Sequence, residues 1–107
     1  MFQFVLLCPP KTDTILNLIG GKPKNVKKIT IVERLYESDI FKGGVVGLWI
    51  SEKNEIMIKR SQLHSISEYA GTLLHECAHA VSGADDVSRD FELKLTEIIG
   101  IISSKFI

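Results

Sequence analysis

The order of residue patterns along this chain predicts an α+β fold. Three observations carry that expectation. Short runs rich in β-branched and apolar residues fill the first half, each bounded by Pro, Gly or Asn. Two longer segments with helical periodicity fill the second half. Only a few residues separate those two segments, so they should be antiparallel neighbours. The expected layout is a small, mainly antiparallel sheet with a short N-terminal helix and two antiparallel C-terminal helices on one face.

Each element has its own signal. FQFVLLC is an apolar run ended by Pro9 and Pro10 and reads as a strand. KTDTILNLIGG has a Thr or Asp cap and a Gly20-Gly21 stop, which suits a short helix. VKKITIVERLY alternates, with Ile29, Ile31 and by extension Glu33 on one face. ESDIFKGG reads as a loop. VVGLWIS and EIMIKR are strand-like runs separated by EKN, a hairpin signal. The first long helix starts near Ser65, where Ser65 and Glu68 have capping-box spacing, and ends at Gly83. The second starts at Asp86 or Ser88, both good N-caps, and runs through RDFELKLTEIIGIISS.

A length of 107 residues suits one domain, residues 1–107, with one modest core and little room for a deep enclosed pocket. Thirteen basic residues balance thirteen acidic ones, so net charge points to neither nucleic acid nor an anionic membrane. Lys22, Lys24, Lys27 and Lys28 form the one basic cluster, read as a solvated turn and strand edge. Cys8 and Cys77 make no disulfide framework, so a reducing, cytoplasmic setting is the simpler expectation. The opening MFQFVLLC lacks a basic lead and is too short for a signal peptide or membrane span.

The chemistry concentrates in GTLLHECAHAVSGADD, where His75 and His79 stand four apart and Glu76 follows the first. On a helix, residues i and i+4 lie about 40° apart and about 6 Å along the axis. Two imidazoles so placed converge on one ion. The residue after the first lies about 100° round, beside the ion. This is the HExxH arrangement, with Zn²⁺ on His75 and His79 and Glu76 as general base toward a zinc-activated water. Shuffling this composition produces the pattern about four times in a thousand, so it is informative but not conclusive.

A plain amphipathic helix is the competing explanation. Ala70, Leu73, Leu74, Cys77, Ala80 and Val81 form its apolar face, and the histidines point the other way with Glu68, Gly71, Thr72 and Ser82. The small residues Gly71, Ala78 and Ser82 beside the histidines favour the metal site, because they leave space where a solvated face usually carries Lys or Glu. His64 reads as a loop or cap residue. Cys77 reads as a small core residue, with a minor metal role if the site is structural.

Catalytic zinc sites usually have three protein ligands and an open position for water. On the second helix, Asp90, Lys94 and Glu97 form the solvated stripe, and Phe91, Leu95, Ile98, Ile99 and Ile102 the apolar one. Glu92 belongs to neither and falls at the margin of the buried face. A chain reversal near Ala84 and Asp85 brings Glu92 opposite the histidines as the third ligand. Pairing with Arg89 is its other reading. Asp85 and Asp86 are the alternative third ligands. Asp85 lies six residues after His79, near the HExxHxxGxxD pattern, but Ser82 stands where that pattern has glycine. Asp86 reads first as a helix cap.

At these residues the sequence resembles the zincin metallopeptidases and, by Glu92, their gluzincin branch. The resemblance implies a minimal zincin-like core in which a second-helix glutamate completes the zinc site. It also implies a strand upstream of the active helix whose edge pairs with an extended peptide or protein substrate, here residues 45–51. More narrowly, TLLHECAHAVSGADDVSRDFELKLTEIIG looks like a small HExxH domain found with histidine-kinase or Hsp90-like ATPase domains, which implies an ATPase-domain partner. Large zincins have a second subdomain that walls the cleft and stabilises the oxyanion. Here fifteen residues follow Glu92, and only Tyr69, His64 and Arg89 offer electrophilic help. Trp49 reads as core or cleft wall. The expected activity is zinc-dependent peptide hydrolysis, and the competing one a zinc-stapled interaction module without turnover.

Overall fold

The computed structural model describes residues 11–35, 45–83 and 88–106. The strand expected over FQFVLLC, the ESDIFKGG loop, Cys8, Asp85 and Asp86 lie outside them. The described elements are α1 (Thr12–Asn17), β1 (Lys28–Val32), β2 (Gly47–Ile50) and β3 (Glu55–Lys59). A 3-10 turn (Arg60–His64), α2 (Ile66–Ser82) and α3 (Arg89–Ser104) follow. The fold class is α+β, as the sequence indicates.

The sheet order is β1-β3-β2. β2 and β3 form the expected antiparallel hairpin, closed by a turn in which Asn54 takes φ 53, a left-handed conformation that Asn tolerates. β1 pairs with β3 in parallel, so the sheet is mixed where a mainly antiparallel one was expected. Strand alternation says which face a residue takes and nothing about which strand it pairs with.

Register puts Ile29 and Ile31 of β1, Ile56 and Ile58 of β3, and Gly47 and Trp49 of β2 on one face. That face meets the helices, and Ile31, Ile56 and Ile58 share one core with Leu73, Cys77, Ala78, Phe91 and Ile98. Trp49, left undecided by the sequence, is half-buried and packs against this core. The other face of β1 is buried too, at Thr30 and Val32, and Thr30 Oγ1 donates to the buried Glu55 carboxylate. Glu33 falls beyond β1, is exposed and pairs with Arg60 at 3.0 Å.

The caps also differ in part from expectation. In α1 no side chain caps the N-terminus. Thr12 is buried and its hydroxyl bonds the Tyr69 hydroxyl at 2.6 Å, which ties α1 to α2. In α2, Ser65 accepts from the Glu68 N–H at 3.1 Å. Gly83 closes the helix at φ 65, a conformation costly for any residue with a Cβ. Val81, assigned to the apolar face, is 44% exposed, and Ile99 of α3 is 63% exposed. The helical wheel places Ile99 at the edge of its stripe, whereas Val81 falls inside the apolar face and is exposed in the last turn of α2. The four clustered lysines are exposed, as expected.

Candidate metal centre

The site is built on α2, and its neighbours are the hairpin on one side and α3 on another. His75 and His79 are half-buried, with ring centroids 5.1 Å apart and planes inclined by 73°. Glu76, between them in sequence, is only 7% exposed. One ligand atom each from His75, Glu76 and His79 lies within 4.8 Å of the others. Ligand atoms about 2.1 Å from a shared zinc stand about 3–3.5 Å apart, so the group would have to tighten to share one ion. Two imidazoles and a carboxylate suit zinc among the common divalent ions, and suit several other first-row metals as well. The three residues therefore form a group able to hold a metal ion.

This face of α2 is partly covered, with both histidines half-buried and Gly71 exposed. Ala78, which was expected to leave space beside the histidines, is fully buried. Gly71 does have open space around it, and Ser82 is half-buried. On the hairpin side, β2 comes so close that a Cβ on Gly47 would stand 2.7 Å from Thr72 Cγ2, 3.1 Å from Glu76 Cγ and 3.2 Å from Glu76 Oε2. The Thr72 hydroxyl donates to Gln62 Oε1 at 2.7 Å, which holds its methyl toward the strand.

On the α3 side, Phe91 lies against both imidazoles. It stacks on His79 at 4.1 Å between centroids and meets His75 edge-on at 5.0 Å. The cap explains its placement. Ser88 accepts from the Phe91 N–H at 3.1 Å, which fixes the start of α3 and turns Phe91 inward. Glu92, one residue on, is rotated about 100° away. It is exposed and is not part of the three-residue group. Asp85 and Asp86 lie outside the described residues.

The remaining candidates are engaged elsewhere or exposed. His64 Nδ1 lies 2.6 Å from Ser61 O and its Nε2 lies 2.9 Å from Glu68 Oε1, so it serves the turn before α2, as read from the sequence. The Tyr69 hydroxyl is taken up by Thr12 in the core. Arg89 is exposed at the start of α3. Cys77 is fully buried, and its thiol is pushed up to about 12, first by burial and then by the negative charge of Glu76. A neutral, enclosed thiol is a packing group and not a reactive one.

Sequence reasoning missed Gly47, Thr72 and Gln62 as parts of this centre, and it saw Phe91 only as core. Gly47 alone left a trace, as a glycine interrupting an apolar strand run, which often marks close backbone approach.

Comparison with protein-family models, with curated proteins and with solved structures gives no match. Among the described residues no helix is long and apolar enough to cross a membrane.

Proposed function

We propose that the chain is a zinc-dependent metallopeptidase in which His75 and His79 hold the ion and Glu76 is the general base. The observation that carries the reading is the grouping of the His75, Glu76 and His79 ligand atoms within 4.8 Å on a partly covered helix face.

When bound, zinc supplies Lewis acidity that lowers the pKa of water and polarises a carbonyl. The protein's own groups do the rest. Glu76 accepts the proton of the attacking water on its carboxylate and passes it to the departing amine. Phe91 restricts the two imidazoles to one orientation and keeps bulk water from that side. The third ligand would be Glu92, whose exposed carboxylate would have to reach back from about 100° round α3 from Phe91; Asp85 and Asp86 are the alternatives. An extended peptide pairs along residues 45–51, which include β2, a strand at a sheet edge among the described residues.

Glu76→Gln tests the reading. It should abolish cleavage of fluorescein-labelled casein while the protein keeps its zinc and its fold. Full activity in that variant contradicts the mechanism.

One observation favours a second reading, a zinc-stapled module without turnover. Tyr69 and His64 spend their hydrogen-bonding groups on Thr12, Ser61 and Glu68 and do not serve the oxyanion. In that case wild-type protein binds zinc and cleaves nothing.

A further inference from the structure

We propose that Gly47 is the positioning residue for the Glu76 carboxylate. Helix α2 presents Thr72 and Glu76, one turn apart, to the same point on β2. At that point the strand carries no side chain. A Cβ there would stand 2.7 Å from the Thr72 methyl and 3.2 Å from Glu76 Oε2, inside or at the limit of normal contact. The Thr72 methyl cannot simply swing away, because the side chain is short and β-branched and its hydroxyl donates to Gln62.

The strand backbone therefore passes where any side chain would crowd both Thr72 and the Glu76 carboxylate. Register ties that stretch of strand to the sheet. Gly47 sits opposite Ile58, which is fully buried, and the Lys59 N–H donates to Val46 O at 2.9 Å. A shift of β2 away from α2 has to break this pairing. Moving the carboxylate is the easier response. Any side chain at 47 thus displaces the general base, or the strand beside it, without touching either histidine.

The effect on turnover rests on the peptidase reading, whereas the placement of the carboxylate concerns the metal-free chain alone. The test uses Thr72→Ser, Gly47→Ala and the double variant beside wild type. Thr72→Ser keeps the hydroxyl and deletes the methyl at 2.7 Å, so it relieves the packing clash and leaves the carboxylate clash in place. The double variant should recover most of the melting temperature that Gly47→Ala loses. In metal-free protein, the carboxyl ¹³C resonance of Glu76, assigned by its absence in Glu76→Gln, should move in the double variant and stay put in Thr72→Ser. Zinc content should remain one per chain, and kcat on fluorescein-casein should fall about a hundredfold. A double variant with the wild-type resonance overturns the proposal, and so does one no more stable than Gly47→Ala. If wild-type protein cleaves nothing, the peptidase reading fails, and the resonance still decides the role of Gly47.

Discussion

The Phe91 ring lies face to face with the His79 imidazole, 4.1 Å between centroids and 20° between planes. The same ring meets His75 edge-on, so one core residue packs against both histidines. Phe91 is 3% exposed, and its loss leaves a cavity beneath them. Phe91→Ala should cost about 3–5 kcal/mol in urea unfolding of metal-free protein. Phe91→Leu, which fills most of the space, should keep the fold and weaken zinc binding by roughly tenfold, as loss of outer-shell support does elsewhere. Unchanged affinity in Phe91→Leu would show that the stacking is packing alone.

Glu76→Gln separates the base from the fold. General-base catalysis is worth about 10²–10⁴-fold, and the amide removes it. The isosteric amide keeps the side chain's size at a site only 7% exposed, so the metal-free protein should stay folded. Chemical denaturation checks this. A marked loss of stability would mean that the carboxylate is a structural anchor.

The third ligand is decided by zinc content. Glu92→Ala should lose zinc while Asp85→Ala and Asp86→Ala retain it. Glu92 is exposed, so its replacement should change metal-free stability by less than about 0.5 kcal/mol. Loss of zinc from an Asp85 or Asp86 variant instead assigns the ligand to the connection between α2 and α3.

Tyr69→Phe removes the partner of the buried Thr12 hydroxyl. It should cost about 1–3 kcal/mol and leave zinc content and turnover unchanged. A selective loss of turnover would make Tyr69 a catalytic group and contradict its placement against α1.

Cys77 is neutral and enclosed, with its thiol pushed up to about 12. In a Cys8→Ser background a thiol reagent should modify Cys77 only through unfolding, at a rate that follows stability. The sign of the pH effect follows from the raised folded value. The contribution is complete below the pKa of an unfolded thiol and is lost as pH rises through that value toward about 12. Cys77→Ala should therefore flatten the alkaline decline in stability.

Much of the helical half was legible because caps are local. Ser65 and Glu68, Gly83 and Ser88 each act within one turn, so residue type and spacing suffice to place them. The hairpin was legible for the same reason. The parallel pairing of β1 with β3 was not, since strand patterns carry no partner identity. The histidine motif could be read because its spacing is a property of one helix. What surrounds it could not. The approach of Gly47 to Glu76, and the choice of Phe91 over Glu92 to face the rings, depend on how separate elements dock and on one 100° step round α3.

In the proposed function, His75 and His79 together hold a single ion. Elemental analysis of purified, dialysed protein, wild type beside His79→Ala, tests it most directly. One zinc per chain in wild type and none in His79→Ala is the expected result. Wild-type protein without metal, or equal zinc in both proteins, would contradict it.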